Sequence, residues 1–387
     1  MSSLTAQGNI KPARLNWIDY ARGLAIILVA YRHVYEGAKQ SGVYVDQYKM
    51  LEYVNIFLFP FRMPLFFIVS GIFISISVHK NGMAKYIGTR ARTILYPYFL
   101  WGALQLLLQM VFAQYSNGKP EPSALLHLFY LPRELAQFWY LYALFNVSML
   151  YLFTKFILRL PALLNFAIGI GLFYLSGYLY QQTTSSYLVL NILHHSFLFD
   201  VLHYYIFFVI GDLAGRYLTS QQFRSIASSG KNVLLLLIVF LAAQSYFLMA
   251  NLRSPVPKFM YVEFYQPFVF LLIALTGCLF MIFLTCWIDK KNILKWLPVL
   301  GRHSLYIYVA HVIVFAAVRT ILMRVFHIED PLIIIFSGML FGITVPVLMY
   351  KLADRFNMRW IFTLEKKKEK LPGDRMVHEP EMKVKTS

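Results

Sequence analysis

Ten stretches of mostly apolar residues follow one another along the chain, at about 17–36, 55–78, 94–115, 137–158, 161–180, 196–217, 232–250, 264–287, 304–323 and 331–352. Each is close to the roughly 20 residues that a helix needs to cross the hydrocarbon core of a bilayer. The connections between them are short, with no long Gly/Ser linker and no low-complexity tract. This pattern predicts an all-α fold: a polytopic membrane helical bundle of about ten transmembrane helices, forming one domain without internal repeats.

The first stretch departs from the others. Residues 17–36 carry Asp19, Arg22, Arg32, His33 and Glu36 inside an otherwise apolar helix. Ionisable groups are costly in a bilayer and normally face a protein interior or a wet cavity, so a helix that served only as an anchor would not carry them. The eleven-residue step from Arg22 to His33 is three helical turns plus about 20°, which puts both side chains on one face, roughly 16 Å apart along the axis. Asp19 and Glu36 fall near the same line.

Composition agrees with this reading. Of 387 residues, 59% are hydrophobic and only 14% charged, which leaves almost nothing for a soluble domain. The net charge of +18 would suggest nucleic acid in a soluble protein, but its distribution follows topology. With the N-terminus inside, the inward tails and loops hold 25 of the 36 Lys and Arg residues, against seven in the outward loops. That bias predicts an integral membrane protein of the cell inner or plasma membrane, with both termini cytoplasmic and no nucleic-acid partner. Residues 1–16 are expected to form a cytoplasmic N-terminal segment, 17–352 the membrane domain and 353–387 a basic cytoplasmic tail, solvated more than held against anionic lipid headgroups. The first span lacks a small-residue cleavage signature and is not a cleavable signal peptide. Cys278 and Cys286 share one span, so neither a disulfide framework nor a thiolate metal cage is expected.

Depth sorts the ionisable span residues into two groups. Arg32, His33, Glu36, Arg62, His194, His195, Asp200, His203 and Arg319 crowd the outer half. On the inner side, Asp19 has the spacing to pair with Arg22, and Asp212 with Arg216, across a helical turn. His33 is the best candidate for chemistry, because an imidazole can accept a proton from a hydroxyl without becoming a permanent buried charge. Glu36 and Asp200 are the acids expected to orient its ring. His194, His195, Asp200 and His203 have the atoms for a metal site, but the adjacent histidines point to different sides of a helix, and no metal is expected. Arg90 and Arg92, at the cytoplasmic entrance of the third span, either anchor the helix or recognise an anionic cytosolic donor, since guanidinium forks suit phosphate oxygens. Trp139, Tyr140 and Tyr142 fit an interfacial aromatic belt better than a sugar-stacking platform.

At these residues the sequence resembles the acyltransferase 3 family of integral-membrane acyltransferases. Four pieces carry the resemblance: Trp17-Ile-Asp-Tyr-Ala-Arg-Gly with ten residues between Arg22 and His33; Arg62-Met-Pro-Leu-Phe-Phe-Ile-Val-Ser-Gly71 followed by Arg90-Ala-Arg92; Phe138-Trp-Tyr-Leu-Tyr-Ala-Leu144; and Gly301-Arg-His-Ser-Leu-Tyr-Ile-Tyr-Val-Ala-His311. The opening Trp-Ile-Asp-Tyr is also similar to the fucose 4-O-acetylase-like branch. Arg32 is a departure, since many relatives have an apolar or small residue before the histidine. The resemblance implies transfer of an acyl group, most often acetyl, from acetyl-CoA or another acyl-CoA to a hydroxyl of a carbohydrate, a lipid-linked glycan or another cell-envelope acceptor. It further implies that His33 is the catalytic base or transient acyl carrier, that Arg22 holds the donor or pairs with Asp19, and that Arg90 and Arg92 meet the phosphates of coenzyme A. The alternative is a multi-span transporter or exporter of a glycan intermediate, which would predict internal pseudo-symmetry and paired broken helices. Pro60, Pro64 and Pro346 interrupt spans, yet no matching half is found elsewhere.

Overall fold

A computed structural model describes residues 15–114, 117–183, 188–256 and 260–365. The basic run after Glu365 and the basic residues Lys11 and Arg14 lie outside the described residues. Among the described residues there is no strand. Among the described residues nine helices are long and apolar enough to cross a membrane. They are α2 (Lys49–Asn81), α3 (Met83–Val111), α4 (Pro132–Ile157), α5 (Ala162–Gln182), α6 (Phe197–Leu218), α7 (Gly230–Arg253), α8 (Pro267–Lys291), α9 (Ser304–Arg324) and α10 (Pro331–Arg355). The charged first helix, α1 (Asn16–Gln40), has the length but not the apolarity, so nine of the ten expected spans are found among the described residues.

Three of these helices are irregular, each for a local reason. α2 runs as three pieces, Lys49–Phe57, Phe59–Gly71 and Ile74–Asn81. Pro60 opens the middle piece and Pro64 lies within it, and each proline removes a backbone donor. In α3 the arginine pair expected in a loop is helical: Arg90 ends a regular segment, and Ala91–Leu95 forms a π turn in which the Tyr96 N–H reaches back to the Ala91 carbonyl. Pro97 follows directly, and a wide turn before a residue with no N–H relieves the ladder there. α4 begins with the 3-10 segment Pro132–Phe138, where Ala136 takes φ 51° and ψ −116°, a conformation costly for a residue with a Cβ.

Burial separates the inner helices from the lipid-facing ones. α6 packs against α2, α4 and α5, while α1 packs against α8, α9, α10 and the short helix Leu297–Arg302. α7 and α10 instead expose large apolar side chains such as Leu234, Ile238, Val239, Phe336 and Leu340, which suits a face turned to hydrocarbon. Close approach of the inner helices depends on glycine. A Cβ on Gly71 would lie 2.2 Å from the Phe208 carbonyl oxygen, and one on Gly211 2.1 Å from that of Ile68, so the middle of α2 and α6 touch backbone to backbone. At the start of α1 the same device is reciprocal: Gly301 abuts the Asp19 carbonyl, and Gly23 abuts that of Leu297.

Candidate active site

The C-terminal half of α1 forms one wall of a cavity of about 810 Å³. Arg32, His33 and Glu36 face it, together with Arg62 of α2, Gln105 of α3, Arg133 and Trp139 of α4, Tyr204 of α6, and Tyr308 and Arg319 of α9. His194 and His195, from the short helix Leu188–His195, and Glu263, just before α8, add to its polar lining. The outer group read from the sequence is therefore largely gathered around one space. Asp200 and His203 are the exceptions, lying behind the wall.

His33 is partly exposed, and its ring lies 5.3 Å from that of His311, centroid to centroid, at 56°. His311 is fully buried and does not line the cavity. Its Nδ1 lies 3.0 Å from the Ile307 carbonyl oxygen and 2.9 Å from that of Tyr308. Carbonyls only accept, so in the neutral ring Nδ1 carries the proton and Nε2 keeps its lone pair. Two histidines on neighbouring helices thus form a front and a back: one meets the cavity, and the other has its tautomer fixed by the backbone. His311 closes the stretch that starts at Gly301, one of the four pieces that carry the family resemblance.

The two acids expected to orient His33 have other partners. Glu36 Oε1 accepts from Arg32 Nε at 3.1 Å, one helical turn away. Asp200 is fully buried and accepts from Arg133, from Nε at 2.8 Å and Nη2 at 2.7 Å. That guanidinium stands 5.2 Å over the rings of both Trp139 and Phe199. Asp200 therefore sets the position of Arg133 at the cavity wall, and among the described residues His33 has no carboxylate hydrogen-bond partner. Both Arg133 contacts fall on Oδ1 of Asp200, which lies behind the wall that His33 lines.

The other residues of the suspected metal cluster are likewise apart. His203 Nδ1 lies 3.0 Å from Ser176 Oγ, and its Nε2 lies 3.3 Å from the Glu263 carboxylate. His194 and His195 meet edge to face at 5.0 Å. Burial, with help from the Arg133 charge, holds the His194 imidazole down at about 3, so it stays neutral. Among the described residues no group of three or more His, Cys, Asp or Glu side chains is arranged to hold a metal ion.

The basic residues assigned to the donor lie away from this cavity. Arg22, Arg90 and Arg92 are not part of its lining. Arg90 donates to Tyr86 Oη at 3.0 Å and stands 5.2 Å over its ring, whereas Arg92 is exposed. Asp19 is buried, with its carboxylate 4.0 Å from Arg302. Asp212 pairs across helices with Lys155 and also accepts from Ser75 Oγ at 2.5 Å and Tyr151 Oη at 2.7 Å, while Arg216 is exposed. The spacing that suggested an Asp212–Arg216 pair is outweighed by this buried network, because a carboxylate facing the bundle interior is turned away from an arginine facing out.

Several polar residues of the site escaped the sequence reading. Gln105 accepts from Gln137 Nε2 at 2.8 Å, and the Tyr308 hydroxyl donates to the Gln137 carbonyl, a link from α3 through α4 to α9. Glu263 was passed over as the residue before a span.

A family model described as an acyltransferase domain matches residues 15–351, from the start of α1 to within α10. No curated protein and no solved structure matches the chain.

Proposed function

The chain belongs to this acyltransferase family, and on that premise we propose that it moves an acyl group, acetyl above all, from acyl-CoA to a hydroxyl of a carbohydrate or lipid-linked glycan of the cell envelope. The observation that carries the reading is the position of His33, on the wall of the large cavity with His311 directly behind it. In this reading His33 takes the proton of the acceptor hydroxyl as its oxygen attacks the thioester carbonyl. The new C–O bond forms, the C–S bond breaks, and the proton passes to the departing thiolate of coenzyme A.

The donor approaches from the cytosolic side, on which both termini lie, in the inner or plasma membrane. Its phosphates are assigned to Arg22, Arg90 and Arg92, because guanidinium forks are suited to phosphate oxygens. From Arg22 to His33 is about 16 Å along α1, a span that the extended pantetheine arm covers.

The test uses purified full-length protein in detergent or nanodiscs, supplied with acetyl-CoA and a glycan acceptor. Free thiol release and acetylated product are followed together. Loss of both in a folded His33→Ala protein is the expected result. Full transfer by that variant would overturn the role given to His33, and no thioester turnover by the unaltered protein with any acceptor would overturn the reaction.

A further inference from the structure

Four guanidinium groups face the large cavity, and they differ in how their charge is met. Arg32 has Glu36, and Arg133 has Asp200. Glu263, the other carboxylate on the wall, is turned to His203. Arg62 is 2% exposed and makes hydrogen bonds only to neutral oxygens, those of Asn55 at 2.6 Å and 3.0 Å and the Leu28 carbonyl at 3.3 Å. Arg319 is 4% exposed, donates from Nη1 to the Gly37 carbonyl at 2.7 Å, and stands 5.6 Å over the Phe315 ring. Among the described residues neither has a carboxylate within ion-pair distance.

Two desolvated cations on one cavity, in a protein surrounded by hydrocarbon, form a charge surplus that a bound anion would relieve. We propose that the cavity binds an acceptor carrying an anionic oxyacid group, a carboxylate or a phosphate, seated against Arg319 in the field of Arg62. The term acceptor rests on the acyl-transfer reading above; the anion site does not. With Nη1 committed to Gly37, the Nε and Nη2 atoms of Arg319 form the remaining edge of its fork, the arrangement that grips two oxygens at once.

The location gives the site a purpose. Gly37 lies one turn of α1 beyond His33, about 6 Å along the axis, so an anionic group held at Arg319 leaves a hydroxyl on the same or the adjoining sugar ring within reach of the imidazole. Gly37 has to be glycine for this approach, since a Cβ there would come within 2.8 Å of the Phe315 ring. The contact that seats Arg319 and the face that presents His33 thus belong to one helix.

Binding is measured without any thioester donor, by calorimetry on the full-length protein in zwitterionic nanodiscs. The probes are a methyl hexuronide, a hexose 1-phosphate and a neutral methyl hexoside. The expected result is at least tenfold tighter binding of one or both charged sugars, with the preferred one telling carboxylate from phosphate. In Arg319→Gln that preference should fall to within about twofold, while Arg319→Lys keeps part of it. Equal binding of charged and neutral sugars by the unaltered protein, or an undiminished preference in folded Arg319→Gln, would overturn the proposal. Because no acyl transfer is read, an inactive enzyme that still prefers charged sugars would reject the reaction and keep the anion site.

Discussion

The rings of His33 and His311 lie 5.3 Å apart on neighbouring helices, and only His33 faces the cavity. Their substitutions should therefore differ in kind. His33→Ala is expected to lower acyl transfer by at least about 10²-fold, the scale of general base catalysis, at any acceptor concentration. His311→Gln is expected to lower it less, because the buried ring acts through its neighbour. Steady-state transfer rates of the two folded variants check this, and equal losses would argue that the rings work as one unit.

Arg133 and Asp200 form a buried pair at the cavity wall. Removing one partner of such a pair leaves an uncompensated charge, at a cost of about 3–5 kcal/mol. Asp200→Leu alone should lower the melting temperature strongly, and Asp200→Leu combined with Arg133→Met should recover much of the loss. Thermal unfolding in one detergent, followed by intrinsic fluorescence, is the measurement.

The Asp212 network separates a cross-helix pair from one suggested by spacing. Asp212→Asn leaves Lys155 without its counter-charge and weakens the bonds from Ser75 and Tyr151, so destabilisation of about 1–3 kcal/mol is expected. Arg216→Ala changes an exposed side chain and should stay within about 0.5 kcal/mol. Comparable effects of the two would contradict the pairing described.

Gly301 and Gly88 make a matched contrast. A Cβ on Gly301 meets the Asp19 carbonyl, so Gly301→Ala should force apart α1 and the short helix Leu297–Arg302, costing about 1–3 kcal/mol or the fold itself. Gly88 lies in a helix with open space around it, and Gly88→Ala should stabilise by up to about 1 kcal/mol through helix propensity. Melting temperatures with opposite signs of change are the expected outcome.

His194 sets a pH dependence. Its imidazole is held at about 3, below the ordinary value of 6.5, chiefly by burial and then by Arg133. The unfolded chain binds this proton more readily, so the contribution of His194 to stability is present above about pH 6.5 and is lost as pH falls toward 3. Between pH 6.5 and 4 the melting temperature of His194→Gln should decline less steeply than that of the unaltered protein. A parallel decline would show that His194 is not the group concerned.

Much of the architecture was legible in the sequence because its signals are local. Apolar runs of membrane length marked the ten helices, and helical spacing put Arg22 and His33 on one face of α1. His33 lines the cavity, as an ionisable residue in a membrane-length helix is expected to, while Arg22 does not. Cross-helix partners were not legible in that way: Asp200 lies 67 residues from Arg133, and Asp212 lies 57 from Lys155. Spacing along one helix offered Arg216 as a nearer partner for Asp212, and packing chose Lys155. The π turn at Ala91–Leu95 was similarly hidden, because Pro97 signals that a ladder must be relieved without saying how.

The glycine seam between α2 and α6 has a mechanical consequence. Where Gly71 and Gly211 press against carbonyls, a slide of one helix past the other would drive a side chain of the next turn into backbone. Those two helices are locked as a single strut through the middle of the molecule, and they cannot serve as opposite halves of a rocking carrier.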